Sequence, residues 1–295
     1  MRIKFFYLSI FFFIKIISSA QTVKNEYDIY LQNVDKANAL DENGNYPEAL
    51  KYYNLSIEFA KKHSEINIYG HLYMAKASIY FKINKSKQGI REVENAIIAG
   101  SELEVIDYDY LFSDSISNKI NKVISPKYFD LIKKKFQMMK NPEAFIEVEK
   151  LIKIDQFYRV NESLFLSTVK QKNDAFWDSF KITDSIIAIE CVSLVKKFGW
   201  KNEMWPIMWH NRDTYKQAND FWNFMIPYIN KEIDKGNLPH SFFAIYEDYI
   251  SKEKTGFTIY GTLPFKVDKN TVNIKRAEVF LPALPDDVID SFNKG

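Results

Sequence analysis

Apolar residues recur at helical spacing through most of this chain, and they set the expected order of its elements. Residues 144–158 carry Phe145, Ile146, Val148, Leu151 and Ile152, the pattern of an amphipathic helix. Residues 176–198 carry a longer pattern that stops at Gly199, a residue suited to the turn after a helix. Further helices are expected over 209–224, over 227–235 before Gly236, and over 239–250. The period then changes to two. Residues 256–262 and 272–274 read as short strands flanking Lys269-Asn270, a small β-hairpin. Pro282 and Pro285 break the pattern before a last helical turn at 286–292. The expected fold class is mainly α: an N-terminal helical hairpin stack, then a helical C-terminal domain with a small β-hairpin.

The first third repeats itself. Gly44-Asn45-Tyr46-Pro47-Glu48-Ala49-Leu50 leads into Tyr52, Tyr53, Ser56 and Ile57, with the small Ala37 seven residues before Gly44. At an offset of 40 residues, Tyr73, Ala77 and Tyr80 mark a first helix, Asn84 the turn, and Gly89, Val93 and Ala96 a second helix. These motifs resemble tetratricopeptide repeats, whose period of about 34 residues implies a longer link around 61–66 here. Small residues are needed because two helices approach closely only where a side chain is missing. Residues 100–136 read as a degenerate third unit. The resemblance implies a protein or peptide partner, although so short an array also serves as a spacer or a cap.

The ends and the charge place the chain. Arg2 and Lys4 precede an apolar run at 5–14, and Ser18-Ser19-Ala20 puts small residues where a signal peptidase cuts. The expectation is a signal peptide at 1–20, cleavage near Ala20, and an exported protein, periplasmic or extracellular. No transmembrane segment is expected after cleavage, since no later run reaches about 18 apolar residues. Formal net charge is +2, and without Arg2, Lys4 and Lys15 it is −1, too little positive charge for a general nucleic-acid surface. Hydrophobic residues at 46% and aromatics at 16% supply a large core. The single cysteine, Cys191, excludes an internal disulfide and a multi-thiolate metal site. Asn141-Pro142 marks the expected boundary between helical repeats at 21–140 and a helical domain at 141–295.

Within the second domain the order Asp155-Gln156-x-x-Arg159, Asp184, Phe198-Gly199-Trp200, Trp209-His210, Gly236, Tyr246-Glu247-Asp248 and Tyr260-Gly261-Thr262 is similar to an uncharacterised bacterial domain of unknown function, number 6624. The resemblance covers about 145–290. Members of that family often have Gly-Trp-Pro and a Gln-His or His-His pair. Here Lys201 follows Gly199-Trp200, and Trp209 precedes His210. The family implies no activity.

The polar residues of this domain are its candidate chemistry. Phe180, Asp184, Ile187, Cys191, Leu194 and Phe198 alternate steps of four and three, so Asp184 lies on an apolar helix stripe. A carboxylate there needs a partner, because an unpaired buried charge costs several kcal/mol or neutralises. Arg159 is the natural one, since its planar fork matches a carboxylate. Asp155 stands one turn before it. His210 and Asp213, at i and i+3, can share a helical face. Asp248 is the acid of Glu247-Asp248 that the family pattern selects. Asp184, His210 and Asp248 are the candidate catalytic residues; Asp155, Arg159, Trp209 and Tyr260 are candidate binding residues. No HExxH, Walker loop, dinucleotide fingerprint or G-x-S-x-G motif is present, so neither a metal nor a cofactor is expected. Two readings stand side by side. One is a binding or scaffold module of the cell envelope. The alternative is a hydrolase-type enzyme built on a carboxylate/His cluster in the C-terminal domain.

Overall fold

Two hairpin turns of the same construction organise the N-terminal part of the molecule. The structure is a computed structural model that describes residues 24–63, 69–102, 111–168 and 174–294. The apolar leader, the expected cleavage point at Ala20 and part of the 61–66 link lie outside these residues. Helices α1 (Glu26–Glu42) and α2 (Tyr46–His63) form the first hairpin, and α3 (Gly70–Lys82) and α4 (Ser86–Ile98) the second. At the first turn Asn45 N donates to Leu40 O at 2.8 Å, and Gly44 stands at φ 73°. At the second, Lys85 N donates to Tyr80 O at 2.8 Å, and Asn84 takes the left-handed position at φ 59°. Asn tolerates that conformation where most side chains do not.

The helices pack on residues that lack bulk. Ala37, Ala49, Ala77 and Ala96 are all fully buried. A Cβ added at Gly89 would stand 2.7 Å from the ring of Phe81, so a larger residue there would force that ring to move. Helices α5 (Asp114–Ile124) and α6 (Tyr128–Met138) extend this core through Ile120, Ile124 and Leu131.

A second apolar cluster forms within 148–246. Helices α7 (Pro142–Thr168) and α8 (Asp174–Phe198) run alongside each other, followed by the short α9 (Trp205–His210), then α10 (Asp220–Asp234) and α11 (Ala244–Thr255). Ile187, Cys191 and Val195 of α8 are buried in one cluster with Met204, Ile207 and Met208. Gly199 follows α8 at φ 75° and Gly256 follows α11 at φ 78°. Short helices α12 (Val272–Glu278) and α13 (Asp286–Lys294) end the chain.

Two local expectations are corrected. The helix expected at 209–224 does not form; α9 ends at His210, and Asn211 turns its side-chain amide back onto Ile207 O at 2.9 Å. The next helix starts only where Asn219 accepts from Trp222 N, and it runs through Pro227 without interruption. The β-hairpin is also absent among the described residues. Thr258 and Val267 form one isolated parallel bridge, and Val272-Asn273-Ile274 opens α12. Asp268 explains the change: its side chain accepts from Asn270 N and Thr271 Oγ1, and its carbonyl from Val272 N, which starts a helix instead of a strand.

The two clusters are tied at the start of α1. Asn25 donates to Ile233 O at 3.0 Å and Leu238 O at 2.8 Å. The buried Asp28 accepts from His240 N at 3.1 Å and meets His240 Nδ1 at 2.5 Å. His63 bridges Asn237 at 2.7 Å and Glu26 at 2.9 Å. Among the described residues, no helix is long and apolar enough to cross a membrane.

Candidate functional site

Asp155 is the centre of the polar cluster. It lies on α7 with its side chain only 1% exposed. Such a carboxylate must be hydrogen-bonded to remain charged. Its Oδ1 faces His210 Nδ1 at 2.8 Å, and its Oδ2 accepts from Gln156 Nε2 at 2.8 Å. Arg159, one turn further along α7, brings Nη2 within 3.7 Å of Oδ1. The same nitrogen contacts Asp184 Oδ1 from α8. Three helices therefore meet at one acid: α7 supplies Asp155, Gln156 and Arg159, α8 supplies Asp184, and α9 supplies His210.

Local structure explains why these groups converge. The i,i+4 spacing sets Asp155 and Arg159 on one side of α7. The apolar stripe of α8 presses against α9 and turns Asp184 toward Arg159. Because α9 stops at His210, the imidazole sits at the helix end and reaches across to α7. The helical face that His210 and Asp213 could share is not used for a pair: His210 meets Asp155, and Asp213 Oδ1 accepts from Tyr249 OH at 2.5 Å.

The charges are unequal in their surroundings. Asp155 is sealed from solvent, whereas Arg159, Asp184 and His210 keep side-chain exposures of 22%, 23% and 17%. Burial pushes the Asp184 carboxyl above the ordinary carboxylate range, against the opposing pull of Arg159. A carboxylate only accepts, so Asp155 holds the proton of His210 on Nδ1 and leaves Nε2 as an acceptor. Nε2 makes no hydrogen bond with a described residue. A buried acid that orients an imidazole with an available Nε2 is the arrangement of a general base.

Asp248 is elsewhere. Fully buried on α11, it accepts from Ile259 N at 2.6 Å, Tyr260 N at 2.7 Å, Thr262 N at 2.7 Å and Thr262 Oγ1 at 2.7 Å. It closes the 256–262 loop and has no contact with His210. Tyr260 belongs to that loop, with its hydroxyl donating to Glu247 at 3.2 Å. Trp209 also turns away from the cluster. The Arg212 guanidinium lies 4.5 and 4.8 Å from the centres of the Trp209 and Tyr249 rings, which meet each other edge-on. The set that converges is thus Asp155, Arg159, Asp184 and His210, with Gln156 added. Gln156 was visible as the residue beside Asp155, but a lone amide carries no sequence signal of its role.

Cys191 is fully buried, and burial pushes its thiol up to about 12, so it is inert at neutral pH. Among the described residues, no group of three or more His, Cys, Asp or Glu is arranged to hold a metal ion. No family model, curated protein or solved structure matches the chain.

Proposed function

We propose that this is an exported protein of the cell envelope whose C-terminal domain is a hydrolase-type acid–base enzyme. The observation that carries the reading is the Asp155–His210 pair, with its acid buried and Nε2 of its imidazole unengaged by described residues. In this reading His210 Nε2 takes a proton from water as the water oxygen adds to an ester or amide carbonyl or to the phosphorus of a phosphate ester. The same proton then passes to the leaving group as the bond to it breaks. Asp155 stays ionised and holds the imidazole in orientation, while Arg159 and Asp184 position Asp155 from the side. The domain is read as akin to the uncharacterised family number 6624. The N-terminal hairpins are read as tetratricopeptide-like repeats, supported by matching turn hydrogen bonds 40 residues apart, and they offer a surface for a protein or peptide partner.

A panel of aryl esters, aryl phosphates and chromogenic peptides tests this on the mature chain. Turnover of one substrate class is expected, and His210→Ala should lower it by about 10²–10⁴ while the helical signal is retained. Turnover unchanged in His210→Ala, or no turnover of any of the three classes, overturns it.

One feature favours a second reading, a binding or scaffold module without chemistry. Arg159 and Asp184 are in direct contact, as in an ion pair that only ties α7 to α8. In that case Asp184→Asn destabilises the fold by a few kcal/mol, because Arg159 loses a half-buried partner.

A further inference from the structure

A cleft of about 220 Å³ opens where the two helical clusters meet. Its walls come from both sides: Tyr27, Tyr30 and Phe59 from α1 and α2, Tyr69 ahead of α3, and Trp200 and Lys201 from the turn after α8. It shares no residue with the Asp155 cluster. The ties at Asn25, Asp28 and His63 run beside it, so its walls are held in fixed relation.

The rings form an ordered surface. Tyr30 stacks on Phe59 at 4.9 Å between centres, Phe59 stacks on His63 at 4.2 Å, and Tyr27 meets Phe59 edge-on at 5.6 Å. Tyr27, Tyr30 and Tyr69 line the cleft, and none of their hydroxyls hydrogen-bonds to a described residue. Burial pushes all three phenols up, the Tyr69 phenol to about 12, so each remains a donor at neutral pH. A hydroxyl without a protein partner at the wall of a cleft can exchange water for a ligand hydroxyl. The fixed charges balance once Lys235 is counted: Lys201 stands on the wall with Glu203 and Glu232, and Lys235 pairs with Glu232 at 2.6 Å. That mixture favours neither a cation in an aromatic cage nor a simple anion. The volume is smaller than the ~300–1,000 Å³ of drug-sized sites, so the occupant is a small ring.

We propose that this junction cleft binds a neutral sugar ring, one pyranose residue of a glycan. A pyranose offers an apolar C–H face for the aromatic wall and hydroxyls for the three tyrosines, which a planar apolar ring does not. The site is independent of the acid–base reading, and either can fail without the other.

Saturation-transfer NMR on the mature chain tests it with glucose, N-acetylglucosamine and cellobiose as probes, and with choline and indole as controls. Sugar ring protons should be saturated and the controls should not. The double variant Tyr27→Phe/Tyr30→Phe keeps both rings and removes two hydroxyls, and it should weaken sugar binding about tenfold, the loss of two neutral hydrogen bonds. His210→Ala should leave sugar binding unchanged. No sugar signal up to about 10 mM, signals from choline or indole in place of the sugars, or equal affinity in the double variant overturns the proposal.

Discussion

Asp155 and Asp248 are both buried aspartates on helices of the C-terminal half, and their surroundings could hardly differ more. Asp248 is met by three backbone N–H groups and one hydroxyl, all from the 256–262 loop. None of those partners titrates, and none can move without unmaking the loop. Asp155 is met by side chains alone: an imidazole, an amide and a guanidinium from two helices. Two of those three carry or exchange protons, and both are partly exposed. Backbone donors turn a buried carboxylate into a fastener. Ionisable side chains around one make a device whose protons can be used.

The sharpest blow to the fastener is Asp248→Ala. It removes a fully buried carboxylate from three part-buried N–H groups and should cost about 3–5 kcal/mol in denaturant unfolding, by the scale for breaking a buried charged partner. A loss below about 1 kcal/mol would remove the distinction between the two acids. Asp155→Asn should cost less in stability, about 1–3 kcal/mol. It should still abolish turnover almost as fully as His210→Ala, because the imidazole loses its orienting acceptor. Steady-state kinetics beside thermal unfolding separates the two effects. Ala77→Leu is the remote control: overpacking between α3 and α4 should cost about 1–3 kcal/mol and leave turnover per folded molecule unchanged.

Asp184→Asn is expected to have the smallest effect on stability, within about 1 kcal/mol, and the pH dependence gives its sign. The folded-state carboxyl is raised above its unfolded value. Its contribution to stability is therefore complete at pH values below the unfolded aspartate range and is lost as pH rises through the folded value. Asparagine does not ionise, so the variant should gain on the wild type between acid and neutral pH. Unfolding curves across that window check it, and a variant that loses ground toward neutral pH would favour the structural ion pair.

Much of this was legible in the sequence. The four-and-three stripe of α8 singled out Asp184, and the one-turn step from Asp155 to Arg159 put two more members of the cluster together. The arrival of His210 was not legible in its geometry. It depends on α9 ending at Asn211 and docking on α7, a tertiary contact with no local signature. The separation of Asp248 from the cluster was illegible for a related reason: an acid in an apolar run looks the same whether side chains or loop amides will meet it. The β-hairpin failed because extended residues at 258–262 are held by Asp248 rather than by a partner strand, while Asp268 diverts Val272 into a helix. The junction cleft joins residues more than a hundred positions apart, such as Tyr27 and Trp200, and no periodicity links them.

The orientation of the His210 imidazole is the most direct test of the account. Side-chain ¹⁵N NMR of the neutral ring reads which nitrogen holds the proton. The account predicts protonated Nδ1 and bare Nε2 in the wild type, with that preference lost in Asp155→Asn and kept in Asp184→Asn. A wild-type ring protonated on Nε2 would contradict it, because an imidazole with that tautomer cannot act as the base.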